Sequence, residues 1–168
     1  MRALITITTL LFCVSLADFT SEAAEKRDPN AVAFERLTKL VGQWQSTDGK
    51  ASLTYELTAG GTAILEREVA EGHPEMLTLY HRDGNRLMLT HYCMTGNQPR
   101  MVAQPFDAEN GELTFSFLDA TNLSSADAGH MRTVKLRFVD DNHIESEWQF
   151  YENRKPTITV RARYARVR

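Results

Sequence analysis

Two stretches, Gly42-Gln43-Trp44 and Ile144-Glu145-Ser146-Glu147-Trp148-Gln149-Phe150, decide the fold. In the second stretch apolar and polar residues mostly alternate, so the side chains of one kind share one side of an extended chain. A period of two residues is typical of a β-strand with one buried face. The first stretch stands where this pattern begins. The chain therefore predicts an all-β domain from Gly42 onward.

Alternating segments follow one another to the end of the chain, with short turns between them. Beyond the strand that opens at Gly42, they cover residues 52–58, 62–69, 76–81, 86–93, 100–104, 113–118, 134–138, 144–150 and 158–164. The longest irregular stretch is 119–130, which we expect to form a rim or lid. About ten short strands in series favour an antiparallel up-and-down barrel.

A single helix is predicted before the first strand. Asp28 can cap it, Pro29 suits its first turn, and Gly42 ends it. Its apolar residues share one face, namely Phe34, Leu37, Leu40 and Val41. We expect this helix to close one end of the barrel.

The first 17 residues have the parts of a secretory signal peptide. Arg2 is their only charge, an apolar run follows, and Ser15-Leu16-Ala17 offers the small residues of a cleavage site, with a second site after Ala23. The apolar run is shorter than the ~20 residues that span a bilayer, so no membrane span is expected. The sequence thus predicts a leader over 1–17, a flexible link over 18–28, one domain over 29–168, and a periplasmic or secreted location.

Composition narrows the function classes. The net charge is −3 and no basic, aromatic-rich stretch is present, which argues against nucleic-acid binding. Cleavage of the leader removes Cys13 and leaves Cys93 alone, so no intrachain disulfide is expected. Hydrophobic residues make up 42% of the chain, enough for one core.

Gly42-Gln43-Trp44, placed after a short helix at the start of the first strand, resembles the calycin group of barrels. Three further segments resemble a family of uncharacterised bacterial secreted proteins assigned to a lipocalin-like barrel: the run from His91 to Met101, Thr121-Asn122-Leu123 and Gly129-His130-Met131. The resemblance implies a barrel of the calycin group, which includes lipocalins, fatty-acid-binding proteins and nitrobindin-like proteins. In such barrels a Trp near the first strand often packs against an Arg of the last strand, which implies a structural role for Trp44. The family carries no established activity.

The chain departs from each named relative in one respect. Only Asp48-Gly49 stands where fatty-acid-binding proteins insert a helical lid, and the chain ends in a strand where lipocalins add a helix. The layout is nearest to nitrobindin-like barrels, but the last histidine, His143, lies in a turn rather than at the haem-ligating position near the chain end. We therefore expect no cofactor, with haem or metal as the alternative.

The candidate ligand-binding residues are polar and gather near one predicted barrel end. They are His81, His91, Cys93, Asn97, Gln98, Arg100, Asn122 and His130. His91 and Cys93 share a strand face and could bind metal with a second histidine, but a strand Cys is most often a small buried hydrophobe, so no metal site is predicted. The segment Asn97-Gln98-Pro99-Arg100 has two interpretations: a turn or buried polar network, or an Arg100 that points into the barrel mouth and binds an anionic group.

The hairpin around Asp83-Gly84-Asn85 sets which side chains face inward. A three-residue loop pairs His81 with Leu87 and Leu77 with His91, and turns both histidines inward; a two-residue Asp83-Gly84 loop puts them on opposite faces. We favour the three-residue loop because it gathers four leucines on one face: Leu77, Leu79, Leu87 and Leu89.

Two further pairs of residues are predicted to have no part in ligand binding. Glu66 and Glu68 share a face with Ile64, and we expect that face to be outward and solvated; an inward Glu66 would need Arg100 or a histidine as partner. Trp44 and Trp148 are expected to be structural, Trp44 at the closed end of the barrel and Trp148 on the inner face.

The sequence thus favours a periplasmic or secreted barrel that binds a small molecule, either hydrophobic or amphipathic, with an anionic or hydrogen-bonding head. One alternative is an enzyme that uses His91, Cys93 or His130 in the same cavity. Another is a packed barrel whose methionine-rich surface binds a protein partner. Whether the interior is open or packed, and the oligomeric state, stay open at this point.

Overall fold

The computed structural model describes residues 28–168. The predicted leader, both of its cleavage sites and the link before Asp28 lie outside the described residues. Within residues 28–168 the chain forms one α-helix and ten antiparallel strands that close into a barrel. The strands neighbour one another in chain order, and the first strand joins the last to the second. The predicted all-β barrel with one N-terminal helix is confirmed.

The elements have the following bounds. They are α1 (Pro29–Thr38), β1 (Gly42–Ser46), β2 (Ala51–Thr58), β3 (Ala63–Ala70), β4 (Met76–Asp83), β5 (Arg86–Tyr92), β6 (Gln98–Ala103), β7 (Glu112–Thr121), β8 (His130–Phe138), β9 (His143–Glu152) and β10 (Lys155–Arg166).

Helix α1 closes one end of the barrel. Asp28 caps it, since its Oδ1 accepts a hydrogen bond of 2.9 Å from the backbone N–H of Asn30. Leu37 and Leu40 are buried in the core, whereas Val41, expected on the same face, is 41% exposed. The Asn30 side chain donates to the Asn85 carbonyl at 2.7 Å, which ties α1 to the β4–β5 turn.

Trp44 fills the barrel just above α1. Its Nε1–H donates to the Leu40 carbonyl at 2.7 Å, and the guanidinium of Arg166 lies 4.3 Å from its ring centroid. Arg166 also donates to the carbonyls of Val41 and Lys39, at 2.9 and 2.6 Å. The expected packing of Trp44 against an arginine of the last strand is confirmed, and it seals the closed end.

The opposite end of the barrel has an incomplete wall. β1 ends at Ser46 and pairs with β10 only from Tyr164 to Arg166, with one more backbone bond from Thr47 to Arg163. Among the described strands, residues 155–162 of β10 therefore have a neighbour only in β9. The barrel wall beside this half of β10 is open to solvent.

The β4–β5 hairpin differs from the favoured register. Asp83 pairs with Arg86 and His81 with Met88, so the turn contains only Gly84 and Asn85. Gly84 has φ +60° as the first turn residue, the position at which type II′ turns favour glycine. The three-residue loop is therefore wrong. The four leucines that the three-residue loop placed on one face are also separated. Leu87 and Leu89 are buried inside the barrel, whereas Leu77 and Leu79 lie on the face of β4 opposite to the buried Thr78 and Tyr80.

Candidate functional site

A row of polar side chains crosses the inner face of four neighbouring strands. Tyr55 on β2 pairs with Glu66 on β3, Glu66 with Thr78 on β4, and Thr78 with His91 on β5. All four are at most 4% exposed. Direct cross-strand partners have Cβ atoms about 4.5–5.5 Å apart, so the four side chains touch in series. We call Tyr55, Glu66, Thr78 and His91 the polar row.

Glu66 is the acidic member of the polar row. The hydroxyl of Tyr80 donates to its Oε2 at 2.7 Å. Burial raises the pKa of Glu66 to about 7, the nearby charge of Glu68 adds to this, and the hydroxyls that face the carboxyl partly oppose it. The expectation that Glu66 is solvated was wrong, because the register with Tyr55 and Thr78 turns it inward, and its partner is a tyrosine instead of Arg100 or a histidine.

His91 is held neutral inside the barrel. Burial lowers its pKa to about 4. Its Nδ1 lies 3.0 Å from the hydroxyl of Thr78, and its ring packs against that of Trp148 with centroids 4.7 Å apart. Nε2 of His91 is buried and has no hydrogen-bond partner among the described residues. A buried polar atom without a partner costs about 1–3 kcal/mol, so this atom favours a ligand group that can hydrogen-bond to it.

The open half of the barrel lies beside His91, because Trp148 packs on His91 and belongs to the strand next to β10. Glu68, two residues beyond Glu66 on the same strand face, is half-buried, and burial raises its pKa while the charge of His73 opposes this. Across the barrel, Val160 pairs with the buried Trp148 and Ile158 with Phe150, so both share the inward face of β10. They are nevertheless 46% and 55% exposed. Solvent therefore reaches apolar inward-facing side chains next to the polar row.

Three predicted site residues instead connect two loops at this end. Asn97 donates to the Gly129 carbonyl at 2.8 Å, and Asn122 donates to the Gly96 carbonyl at 2.6 Å. Gln98 accepts a 2.7 Å hydrogen bond from the hydroxyl of Thr121. These contacts join the turn after β5 to the loop between β7 and β8. They match the interpretation of this segment as a turn and polar network.

Arg100 and His81 lie away from the interior. Arg100 is exposed and makes a two-point ion pair with Asp119, because the neighbouring Met101 takes the inward position on β6. His81 is half-exposed on the face opposite to Tyr80, and its Nδ1 lies 3.1 Å from the Arg82 carbonyl. The model in which Arg100 lines the cavity and His81 shares it with His91 is therefore wrong.

His130 and Cys93 are both buried near the open end. The ring of His130 packs on Phe117 with centroids 4.7 Å apart, and its Nδ1 lies 2.6 Å from the Ala128 carbonyl. Cys93 is a free thiol in the turn after β5, where its N–H bonds to the Asn97 carbonyl. Within residues 28–168 no group of three or more His, Cys, Asp or Glu side chains could hold a metal ion.

The outside of the barrel carries a charged depression of about 530 Å³ over β8, β9, β10 and the end of β1. Its charges are already paired with one another: Arg161 with Glu147, and both Arg137 and Arg163 with Glu145. Exposed pairs of this kind contribute about 0–1 kcal/mol each and are typical of a solvated face. The interior is therefore the better candidate site.

The interior site combines hydrogen-bonding groups with aromatic rings. Its polar groups are two carboxyls, three tyrosine hydroxyls and a neutral imidazole, which belong to Glu66 and Glu68, to Tyr55, Tyr80 and Tyr164, and to His91. The rings of Trp148 and Tyr80 lie beside them. Sequence reasoning found His91 and Trp148 but missed the roles of Tyr55, Thr78 and Tyr80. The one available signal was the spacing of Ile64, Glu66 and Glu68, which places both carboxyls on one face.

No helix within residues 28–168 has the length and apolar character that crossing a bilayer requires.

Comparison with known proteins adds the fold alone. No protein-family model matches the chain, and no curated protein matches it. Among solved structures, the chain is similar to a protein of unknown function of the DUF3598 family from Nostoc punctiforme PCC 73102, with a TM-score of 0.52 and 12% identity. The match covers 78% of this chain and 49% of that one, so the chain spans about half the length of its structural neighbour.

Proposed function

We propose that this protein is a calycin-like barrel that binds a small amphipathic molecule in the open half of its interior. The observation that carries the proposal is the buried Nε2 of His91, which has no partner among the described residues and belongs to a polar row next to solvent-exposed, inward-facing Val160 and Ile158. A ligand with a polar head and an apolar tail satisfies both features.

The same groups limit the chemistry of the head. The sequence suggested an anionic head because Arg100 was placed in the mouth. With Arg100 outside and Glu66 and Glu68 inside, an anionic head would meet like charge. The proposed ligand is therefore uncharged or positively charged. The leader over 1–17 adds the proposal that binding takes place in the periplasm or outside the cell.

Binding of a neutral fluorescent probe, N-phenyl-1-naphthylamine, tests the proposal. Val160→Ser makes the open end polar, and Val69→Ser is its control, because Val69 is equally exposed at 49% on the outside of the neighbouring part of the barrel. We expect wild type and Val69→Ser to bind the probe alike and Val160→Ser to bind it about tenfold more weakly, a loss of ~1.4 kcal/mol.

Two results would contradict the proposal. One is the absence of any probe binding to folded wild-type protein. The other is equal weakening by both serine substitutions, which would place the probe on the outer surface.

A further inference from the structure

Resting on the proposed function, we infer that the polar head of the ligand is an organic cation, a protonated amine, bound by Glu66 and Glu68. The contacts of these two carboxyls, the aromatic groups around them and the apolar open end carry the inference together.

The first argument is the absence of a basic partner for a buried acid. The ion pairs of the described residues join side chains that are each at least 29% exposed, and none of them includes Glu66 or Glu68. The direct hydrogen bond to Glu66 comes from an uncharged tyrosine. An ionised carboxylate in a protein interior is costly unless a positive charge accompanies it. Within residues 28–168 the chain supplies two inward carboxyls and no inward cation in contact with them.

The second argument is independent of the carboxyl groups. Nε2 of His91 is buried without a hydrogen-bond partner among the described residues. It stands at one end of the polar row, with Thr78 between it and Glu66. A ligand group placed against the row can therefore contact a carboxylate and a neutral nitrogen at the same time. An ammonium group has the donors that the carboxylate needs, and it also donates to Nε2 when the ring proton of His91 is on Nδ1.

The third argument is the aromatic surroundings. Tyr80 bonds to Glu66 and Trp148 packs on His91. Burial raises the pKa of Tyr164, and the nearby charges of Glu68 and Glu66 add to this. Aromatic faces attract cations by about 0.5–2 kcal/mol each, which adds to the attraction that the carboxyls exert on an ammonium group. The apolar tail would then pass Val160 and Ile158 toward solvent.

Three ligands of equal chain length test the inference: dodecylammonium, dodecanol and dodecanoate, each below its micelle-forming concentration or its solubility limit. At pH 8 Glu66 is mostly ionised, since its pKa is about 7. We expect the cation to displace the fluorescent probe at a concentration about tenfold lower than dodecanol, and dodecanoate to be the weakest.

Isosteric variants locate the contact. Glu66→Gln should weaken binding of the cation about tenfold and leave dodecanol unchanged. Glu56→Gln removes the same charge from an exposed position on the outer face of β2 and should have no effect on either ligand. Glu68→Gln is a second variant of the site and should weaken the cation as well. Circular dichroism verifies that each variant keeps the barrel.

The outcomes separate the inference from the proposed function. If dodecanoate or dodecanol binds as tightly as the cation, the inference is overturned while the barrel remains a small-molecule binder. If Glu66→Gln and Glu56→Gln weaken the cation equally, surface charge explains its binding and the inference is again overturned. If none of the three ligands displaces the probe and the probe itself does not bind, the proposed function fails.

Discussion

Replacing Glu66 by Gln should change how the stability of the protein depends on pH. Burial raises the pKa of Glu66 from 4.5 to about 7 in the folded protein. Between these pH values the folded state binds more protons at this site than the unfolded state, so the free energy of unfolding falls as pH rises. A difference of ~2.5 in pKa at ~1.4 kcal/mol per pKa unit amounts to ~3.5 kcal/mol in total, of which ~3 kcal/mol falls between pH 4.5 and pH 8.

His91 acts in the opposite direction. Burial lowers its pKa from 6.5 to about 4, so the unfolded state binds more protons between these values and stability rises with pH there. The two slopes oppose each other over roughly pH 4.5–6.5 in the wild-type protein. Glu66→Gln removes only the falling slope.

The difference between variant and wild type isolates this effect, because the other titrating groups are common to both proteins. We expect the free energy of unfolding of Glu66→Gln, relative to wild type, to increase by ~3 kcal/mol from pH 4.5 to pH 8. Urea denaturation at half-unit pH steps measures it. A Glu66→Gln difference that does not vary with pH over this range would refute the buried, proton-binding Glu66.

Three further substitutions test the ends of the barrel by urea denaturation. Arg166→Ala removes hydrogen bonds to three carbonyls and the stacking on Trp44, so it should lower the free energy of unfolding by ~2–3 kcal/mol. The control Arg163→Ala removes an exposed ion pair with Glu145 and should lower it by less than ~1 kcal/mol. Equal losses would contradict the role of Arg166. Gly129→Ala places a Cβ 2.5 Å from Cζ of Phe150 and should lower the free energy of unfolding by ~1–3 kcal/mol. Adding Phe150→Leu to the same chain should restore part of this loss. If Gly129→Ala leaves stability unchanged, the contact is disproved. Asn97→Ala removes the hydrogen bond to the Gly129 carbonyl and should lower the free energy of unfolding by ~1–2 kcal/mol. It should also speed proteolysis within residues 122–129. An unchanged rate of cleavage would show that Asn97 does not connect the two loops.

The alternating segments predicted the strands because burial of one face leaves a period of two in the sequence. This local signal was sufficient for the strands of the barrel, whereas the helix was predicted from the cap at Asp28, from Pro29 in its first turn and from its apolar face. The packing of Trp44 against an arginine of β10 was implied by the resemblance to calycin-type barrels and not by the alternation. The turn at Gly84-Asn85 was less predictable, because three turn-forming residues in a row allow several registers and each one-residue shift exchanges the two faces.

The interior site could be predicted only in part for a related reason. Alternation shows which residues share a face, but it does not show which face is inside. For Glu66 and Glu68 the rule that charges are solvated favoured the outside. Glu66 instead pairs with Tyr55 and Thr78, and Glu68 pairs with the buried Leu53, so both carboxyls turn inward. For Arg100 the adjacent Met101 took the inward position, and Asp119 on β7 supplied a partner outside. Both outcomes depend on contacts between strands that are distant in sequence.

A crystal structure of the protein grown with dodecylammonium carrying a terminal bromine tests the central claim most directly, because anomalous scattering locates the bromine without ambiguity. The account predicts the ammonium group beside Glu66 and His91 in the interior, with the tail between Val160 and Ile158 and the bromine at the open end. Bromine density only over the outer charged depression, with side chains of the barrel filling the interior next to His91, would contradict it.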